Sequence, residues 1–246
     1  MPIFEKKNFD CISGFFTEMK KLNIACLTFT CRRDAEMAAR HSALVPPHWK
    51  KFWCVTPEDA NIPHPRNVTI LPRAFDRGGS LRWEPAITGM RNTWLELLAL
   101  DFDVFVKMDS DCALFRTDAF EMPMTCSDTD FAYIRRMEKE GRLFCNGCCY
   151  AFSRRACELL RDETFYPHGL PKQLRGHEDL IFSAFWTAYR RELNFCQIRK
   201  DKVFWKVKPY FEPDIIAAHY GYVKKQAAEL FKRHVEAHKK WLAESN

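Results

Sequence analysis

Two carboxylates spaced two residues apart, Asp109 and Asp111, close the apolar run Val104, Phe105, Val106 and Met108, which only Lys107 interrupts. In extended chain that spacing puts both side chains on one side of the backbone, roughly 6 to 7 Å apart. A single cation, or a cation and a sugar hydroxyl, can be gripped between them. The run is short and tightly bounded, which reads as a buried strand rather than a helix. In open α/β sheets ligands sit beyond the carboxyl ends of the strands, where this pair falls. A solvated turn carrying two aspartates is the plain alternative, and a DxD alone does not decide between them. A second acid pair, Glu178 and Asp179, follows Gly176 and His177 and opens the dense apolar segment DLIFSAFWTAY. Acids there also serve simply as caps and dipole partners of a helix.

The elements that must position these groups alternate. Leu22 to Thr30 is a β-prone run, and Asp34 is placed to cap a helix through Leu44 that stops at Pro46 and Pro47. Arg32 and Arg33, in the turn between, suit an anion or simply a solvated bend. Phe52 to Thr56 and Val68 to Leu71 are two more short strands, followed by a glycine- and arginine-rich loop from Arg73 to Arg82. From Pro85 onward, Ile87, Met90, Arg91, Trp94, Leu97 and Leu98 recur at helical spacing up to Leu100, and that helix feeds the strand ending at Asp109. Alternation of this kind predicts a mostly parallel sheet. Beyond Asp111 the pattern gives a strand at Phe131 to Arg135, a charged turn, the segment Cys145, Asn146, Gly147, Cys148, and a strand from Cys149 to Phe152. Ser153 caps the next helix. Short runs at Phe195 to Ile198, Val203 to Val207 and Ile215 to Ala218 precede His219. A helix from Val223 to Leu242 closes the chain, apolar on one stripe and basic at Lys224, Lys225, Lys232, Arg233, Lys239 and Lys240. Packing on the sheet accounts for that stripe, and contact with anionic lipid is the sharper reading.

Composition narrows the class. An apolar fraction of 47% with 14% aromatics marks a folded chain rather than a disordered one. A net charge of +6 is mild and spread through the sequence, without a nucleic-acid motif, so nucleic acid is not an expected partner. No secretory leader and no run of eighteen apolar residues is legible, which places the chain in the cytoplasm with reduced thiols. The cysteines number 11, and Cys145, Cys148 and Cys149 give one C-x2-C, yet a structural zinc site wants a second pair that does not follow. His234, Glu236 and His238 only superficially resemble HExxH, because the acid is one position out of place.

An acidic pair at a strand end, a glycine beside a strand, an acid pair opening an apolar helix and a late histidine occur in the order found in the GT-A glycosyltransferases. Asp109-Ser110-Asp111 resembles their DxD, Asn146-Gly147-Cys148 their glycine loop, His177-Glu178-Asp179 their xED, and His219 their C-terminal histidine. The resemblance spans roughly residues 22 to 221. It implies a single-domain, Rossmann-like α/β fold, with a nucleotide-sugar-binding half (22–111), an acceptor half (112–221), a lead-in (1–21) and a basic C-terminal helix (222–246). It further implies transfer of a sugar from a nucleoside-diphosphate donor, a UDP-sugar for preference, to a glycan or glycolipid hydroxyl. By that resemblance Asp111 and His219 hold Mn²⁺ (or Mg²⁺), with Asp109 on the ribose or on the metal through water. Asp179 is the base of an inverting reaction and Glu178 orients the acceptor. Thr30, Arg32, Arg91, Lys107 and Gly147 are the expected donor contacts.

A strand ending in DxD also opens the haloacid dehalogenase-like phosphatases, with Asp109 as nucleophile. That family continues with threonine or valine where Ala113 stands here. An EF-hand fails at Leu114 and Phe120, where glycine and glutamate are required. A nucleotide-sugar-binding module without turnover shares every feature named, because fold does not secure function.

Overall fold

The computed structural model describes residues 21–73, 83–126, 128–139, 142–162, 181–182, 185–186, 188–189, 191–198, 203–204, 210–212, 214–220 and 226–245. Strand β1 (Ile24–Phe29) is buried along its whole length, as a central strand covered on both faces must be. It pairs in parallel with β2 (Lys50–Val55) on one side and with β4 (Val104–Asp109) on the other, while β3 (Val68–Pro72) extends the sheet beyond β2. The chain therefore leaves β1 in one direction and returns on the opposite side. The carboxyl ends of β1 and β4, with Phe29 in register with Asp109, form the topological switch point where open α/β sheets bind ligands.

The other half of the sheet turns on one long strand. β7 (Arg142–Ser153) is antiparallel to both β4 and β6 (Phe131–Lys139), and β8 (Phe195–Ile198) lies parallel to β6 at the edge. The sheet of seven strands runs β3-β2-β1-β4-β7-β6-β8, mixed but mostly parallel. A second, small sheet holds β5 (Cys112–Leu114), β10 (Ala217–His219) and β9 (Val203–Phe204), with β10 in the middle and antiparallel to β5.

Side-chain alternation along the strands sorts the core into two layers. Leu27, Phe29, Phe105 and Phe152 meet Trp94 and Leu97 of α2 (Trp83–Leu98), Ala156 of α4 (Arg154–Glu158) and Phe182 and Trp186. On the other face Cys26, Val104, Val106 and Met108 meet Phe120 and Met124 of α3 (Asp118–Cys126). Helix α1 (Ala35–Ser42) sets Ala35 and Ala38 on Trp53 and Val55. Buried Lys51 donates to the carbonyls of Ser42 (3.0 Å) and Val45 (2.7 Å), placing a cation where a helix leaves acceptors unpaired. Arg154 does the same past the end of α2, reaching Leu98 O at 2.8 Å and Leu100 O at 2.9 Å. Helix α5 (Ala227–Ser245) packs Ala227 and Leu230 against Ala113, Phe115, Ile215, Ala218 and Tyr220.

Several local expectations are corrected. Asp34 stands at the N-cap of α1 but makes no capping hydrogen bond, because its carboxylate accepts from Cys31 Sγ (3.5 Å) and pairs with Arg33. Ser153 does cap α4, accepting from Ala156 N at 3.1 Å. The segment around Gly147 is not a loop before a strand but lies inside β7, because that strand runs four residues past Cys149 and seven before it. Cys145 faces one core layer and Cys148 and Cys149 the other, so the C-x2-C pair cannot close on one ion. The apolar stripe of α5 is buried, and its exposed side mixes Lys232, Arg233, Lys239 and Lys240 with Glu229, Glu236 and Glu244. No helix among the described residues is long and apolar enough to cross a membrane. The lead-in to residue 20 and the glycine-arginine loop from 74 to 82 lie outside the described residues.

Candidate functional site

Asp109 ends β4, and the residue that fixes it is Lys107, two positions earlier on the same side of the strand. Lys107 is 1% exposed, so its ammonium must find partners within the fold. It donates to the Asp109 carboxylate and to the Gly147 carbonyl, and it stands 5.8 Å from the centre of the Tyr150 ring. The carbonyl is available because the β6–β7 ladder slips here. Between the pairs Tyr133↔Tyr150 and Arg135↔Cys145, residues 146–149 stand against Ile134 alone. An irregularity of this kind re-aims backbone groups beside a site.

Asp111 is positioned differently. The strand stops at Asp109, Ser110 and Asp111 make a turn, and β5 starts at Cys112. The acids therefore do not lie along one extended strand, as their spacing suggested, and the turn carries Asp111 toward β10. His219 of β10 is in register with Cys112, which brings its Nε2 to 3.0 Å from Asp111 Oδ1. The Asp111 carbonyl accepts from Tyr220 N at 2.7 Å, locking turn to strand. Burial would raise the Asp111 carboxyl, but the hydrogen bond and charge of His219 outweigh it and hold the group below the ordinary carboxylate range. One ligand atom each from Asp109, Asp111 and His219 lies within 4.8 Å of the others. Two carboxylate oxygens and an imidazole nitrogen, drawn from three strands or turns and open to one side, fit a divalent cation.

Against Asp111 opens a cavity of about 350 Å³ between α1 and α5, lined also by Arg33, Met37, Arg40, His41 and Phe231. His41, unremarked in the sequence, is 1% exposed and rests on Phe231 (centroids 4.9 Å) and Tyr220 (5.4 Å). Burial pushes its imidazole down to about 4, against the pull of the Asp111 charge and a hydrogen bond to the Ser110 backbone. It is thus neutral at physiological pH. The signal was present in α1, where Ala35, Ala38 and His41 share the inward stripe.

The remaining expected residues are dispersed. Thr30 follows β1 at the switch point, its backbone N–H bonded to Cys54 O at 3.0 Å and its hydroxyl buried without a partner among the described residues. Arg32 is tied to Asp59 through its backbone N (2.8 Å) and its Nε (3.3 Å). Arg91 donates to the Leu160 carbonyl at 2.6 Å, joining α2 to the turn after α4. Glu178 and Asp179 lie outside the described residues.

A mixed, mostly parallel sheet with an acidic pair at its β1/β4 switch point, met there by a histidine from a small second sheet, is the GT-A glycosyltransferase fold. Among solved structures, the galactosyltransferase LgtC in complex with donor and acceptor sugar analogues matches with a TM-score of 0.50 at 10% identity, over 85% of this chain and 95% of that one. The glycosyltransferase GlyE of Streptococcus pneumoniae TIGR4 matches with a TM-score of 0.54 at 12% identity, over 92% of this chain and 64% of GlyE. The likeness at such identity is one of fold. No family model matches the sequence, and no curated protein does. The phosphatase reading of the DxD gives way to this architecture.

Proposed function

We propose that this chain is a metal-dependent glycosyltransferase that moves a sugar, a hexose from a UDP donor for preference, onto an acceptor hydroxyl. Asp111 and His219 hold Mn²⁺ or Mg²⁺, with Asp109 beside them, and the histidine favours manganese because magnesium is served mainly by oxygen. When bound, the cation supplies Lewis-acid stabilisation of the charge that grows on the departing diphosphate. The chain does the rest. Asp109, restrained by Lys107, faces the ribose or the metal's water, and the cavity walled by His41, Met37 and Phe231 receives the nucleoside. Gly147, without a Cβ, leaves room for the donor sugar near the strand slip. Asp179 takes the proton of the attacking hydroxyl, and Glu178 orients the acceptor. Arg32 and Arg91 keep their own partners, and we give them no donor role.

The observation that carries this reading is the convergence of Asp109, Asp111 and His219 at the switch point of a GT-A sheet. The likeness to LgtC, studied with donor and acceptor sugar analogues, supports a saccharide acceptor. A surface glycan or lipopolysaccharide precursor, met on the cytoplasmic side, is the acceptor class we favour. Mn²⁺ together with UDP is expected to raise the melting temperature through ligand linkage, by about 2.7 kcal/mol of stability at a hundredfold excess over Kd. Asp111→Asn abolishes the shift. The absence of a shift in the wild type with UDP, GDP or any other nucleoside diphosphate overturns the proposal.

A further inference from the structure

Tyr220 follows the histidine of the acidic cluster and joins the Asp111 turn to α1 and α5. Its backbone N–H donates to the Asp111 carbonyl at 2.7 Å, so it closes the turn that carries Asp111. Its ring is fully buried between His41 of α1 (5.4 Å) and Phe231 of α5 (5.7 Å). Its hydroxyl lies 2.7 Å from His234 Nδ1, and both residues are shielded from water. Burial holds the phenol protonated, so the hydroxyl and the His234 ring nitrogen share one hydrogen bond between two uncharged groups. The same helix that supplies His234 also supplies Ala227 and Phe231 to the cavity beside Asp111.

We propose that Tyr220 and His234 are positioning residues for the metal centre, their buried hydrogen bond clamping β10 to α5 so that His219 and Asp111 stand ready as ligands. The inference rests on the metal-dependent transferase reading. Its physical content is preorganisation. His219 sits on a strand of three residues, too short to hold its own register, and the Asp111 turn is joined to that strand through the Tyr220 amide. With the clamp made, no ordering is left to be done when a cation arrives. With it broken, part of the binding energy goes into ordering β10.

The test compares Tyr220→Phe, which deletes one oxygen, with His234→Asn and His234→Leu. The asparagine amide can replace Nδ1 as the partner of the phenol, and leucine cannot. Mn²⁺ affinity is read directly from the free-ion signal in electron paramagnetic resonance, beside the melting temperature of the metal-free protein. Tyr220→Phe and His234→Leu are expected to weaken Mn²⁺ binding about threefold to tenfold, the range one buried hydrogen bond can supply. His234→Asn should bind Mn²⁺ within about twofold of wild type, a rescue that loss of packing alone does not predict. Unchanged Mn²⁺ affinity in Tyr220→Phe, with only a lower melting temperature, overturns the clamp and leaves the transferase reading intact. Failure of the wild type to bind Mn²⁺ overturns that reading instead.

Discussion

The two acids of the DxD are two residues apart and are held by opposite strategies. Asp109 is fixed by charge, through a lysine with 1% of its surface exposed that also grips a carbonyl from the neighbouring strand. Asp111 is fixed by backbone, through a turn, a three-residue strand and the Tyr220 amide. The first arrangement is rigid and built into the main sheet, so its failure damages the fold. The second is assembled from small elements packed between α1, α5 and the main sheet, so its failure damages the site. One half of the motif belongs to the scaffold and the other half to a part that can be tuned.

Lys107→Met attacks the scaffold side and should have the largest effect on stability of the substitutions. Breaking a buried ion pair by removing one partner costs about 3 to 5 kcal/mol. Asp109 keeps 32% of its side-chain surface exposed, so water relieves part of that, and we expect about 2 to 3 kcal/mol by denaturant titration. The same variant should leave Mn²⁺ affinity within about threefold of wild type, because it also removes a cation that competes for Asp109. That is the reverse of the pattern expected for Tyr220→Phe. Equal losses in both quantities for both variants would erase the distinction between the two sides.

Acid should act on the tuned side next. In the unfolded chain His41 takes up a proton near 6.5, and in the fold only at about 4. The unfolded state therefore binds more protons between those values. Stability of the metal-free protein should fall as pH drops through this window, by about 3 kcal/mol in all. His238, lowered by burial and by Arg116, adds in the same direction. Asp111 acts in the same direction but lower on the scale: its depressed carboxyl gives stability that is lost only as pH falls through and below its ordinary 3.8, outside the window. Denaturant titrations at several pH values, with a chelator present, measure the slope. His41→Leu should flatten it, and an unchanged slope would exclude His41 as its source.

What could be read ahead of the structure divides along the same line. The parallel strands, the switch point and the order of Asp109, Asp111 and His219 were legible because strands β1 and β4 are nearly unbroken apolar runs ended by polar residues. Lys107 was harder. A lysine inside such a run reads as pointing outward, and only the Gly147 carbonyl, brought near by the β7 slip, explains its burial. The role of Tyr220 was invisible, since its value lies in a main-chain N–H and in a contact 14 residues along the chain. His234 and His238 were noticed only for a metal motif they do not form, although their spacing put both on the buried stripe of α5. Patterns of side chains announce faces and ends, while contacts between irregular segments have no period to announce them.

The smallest effect comes from the far end of β7 and serves as the reference for the others. Ser153 caps α4 through Ala156 N and donates to Asp130 Oδ1 at 2.7 Å, and it stands in register with Val104, the residue of β4 most distant from Asp109. Ser153→Ala removes both hydrogen bonds and should cost about 1 kcal/mol, the ordinary value of a helix cap. It lies on the strand that also carries Gly147, so it probes whether loosening the scaffold anywhere is enough to disturb the metal centre. Unchanged Mn²⁺ affinity in Ser153→Ala, beside the weakened binding of Tyr220→Phe at comparable loss of stability, would show that ligand geometry follows the α5 clamp rather than global stability. Weakened binding in both would mean that the centre simply reports how firmly the whole sheet is folded.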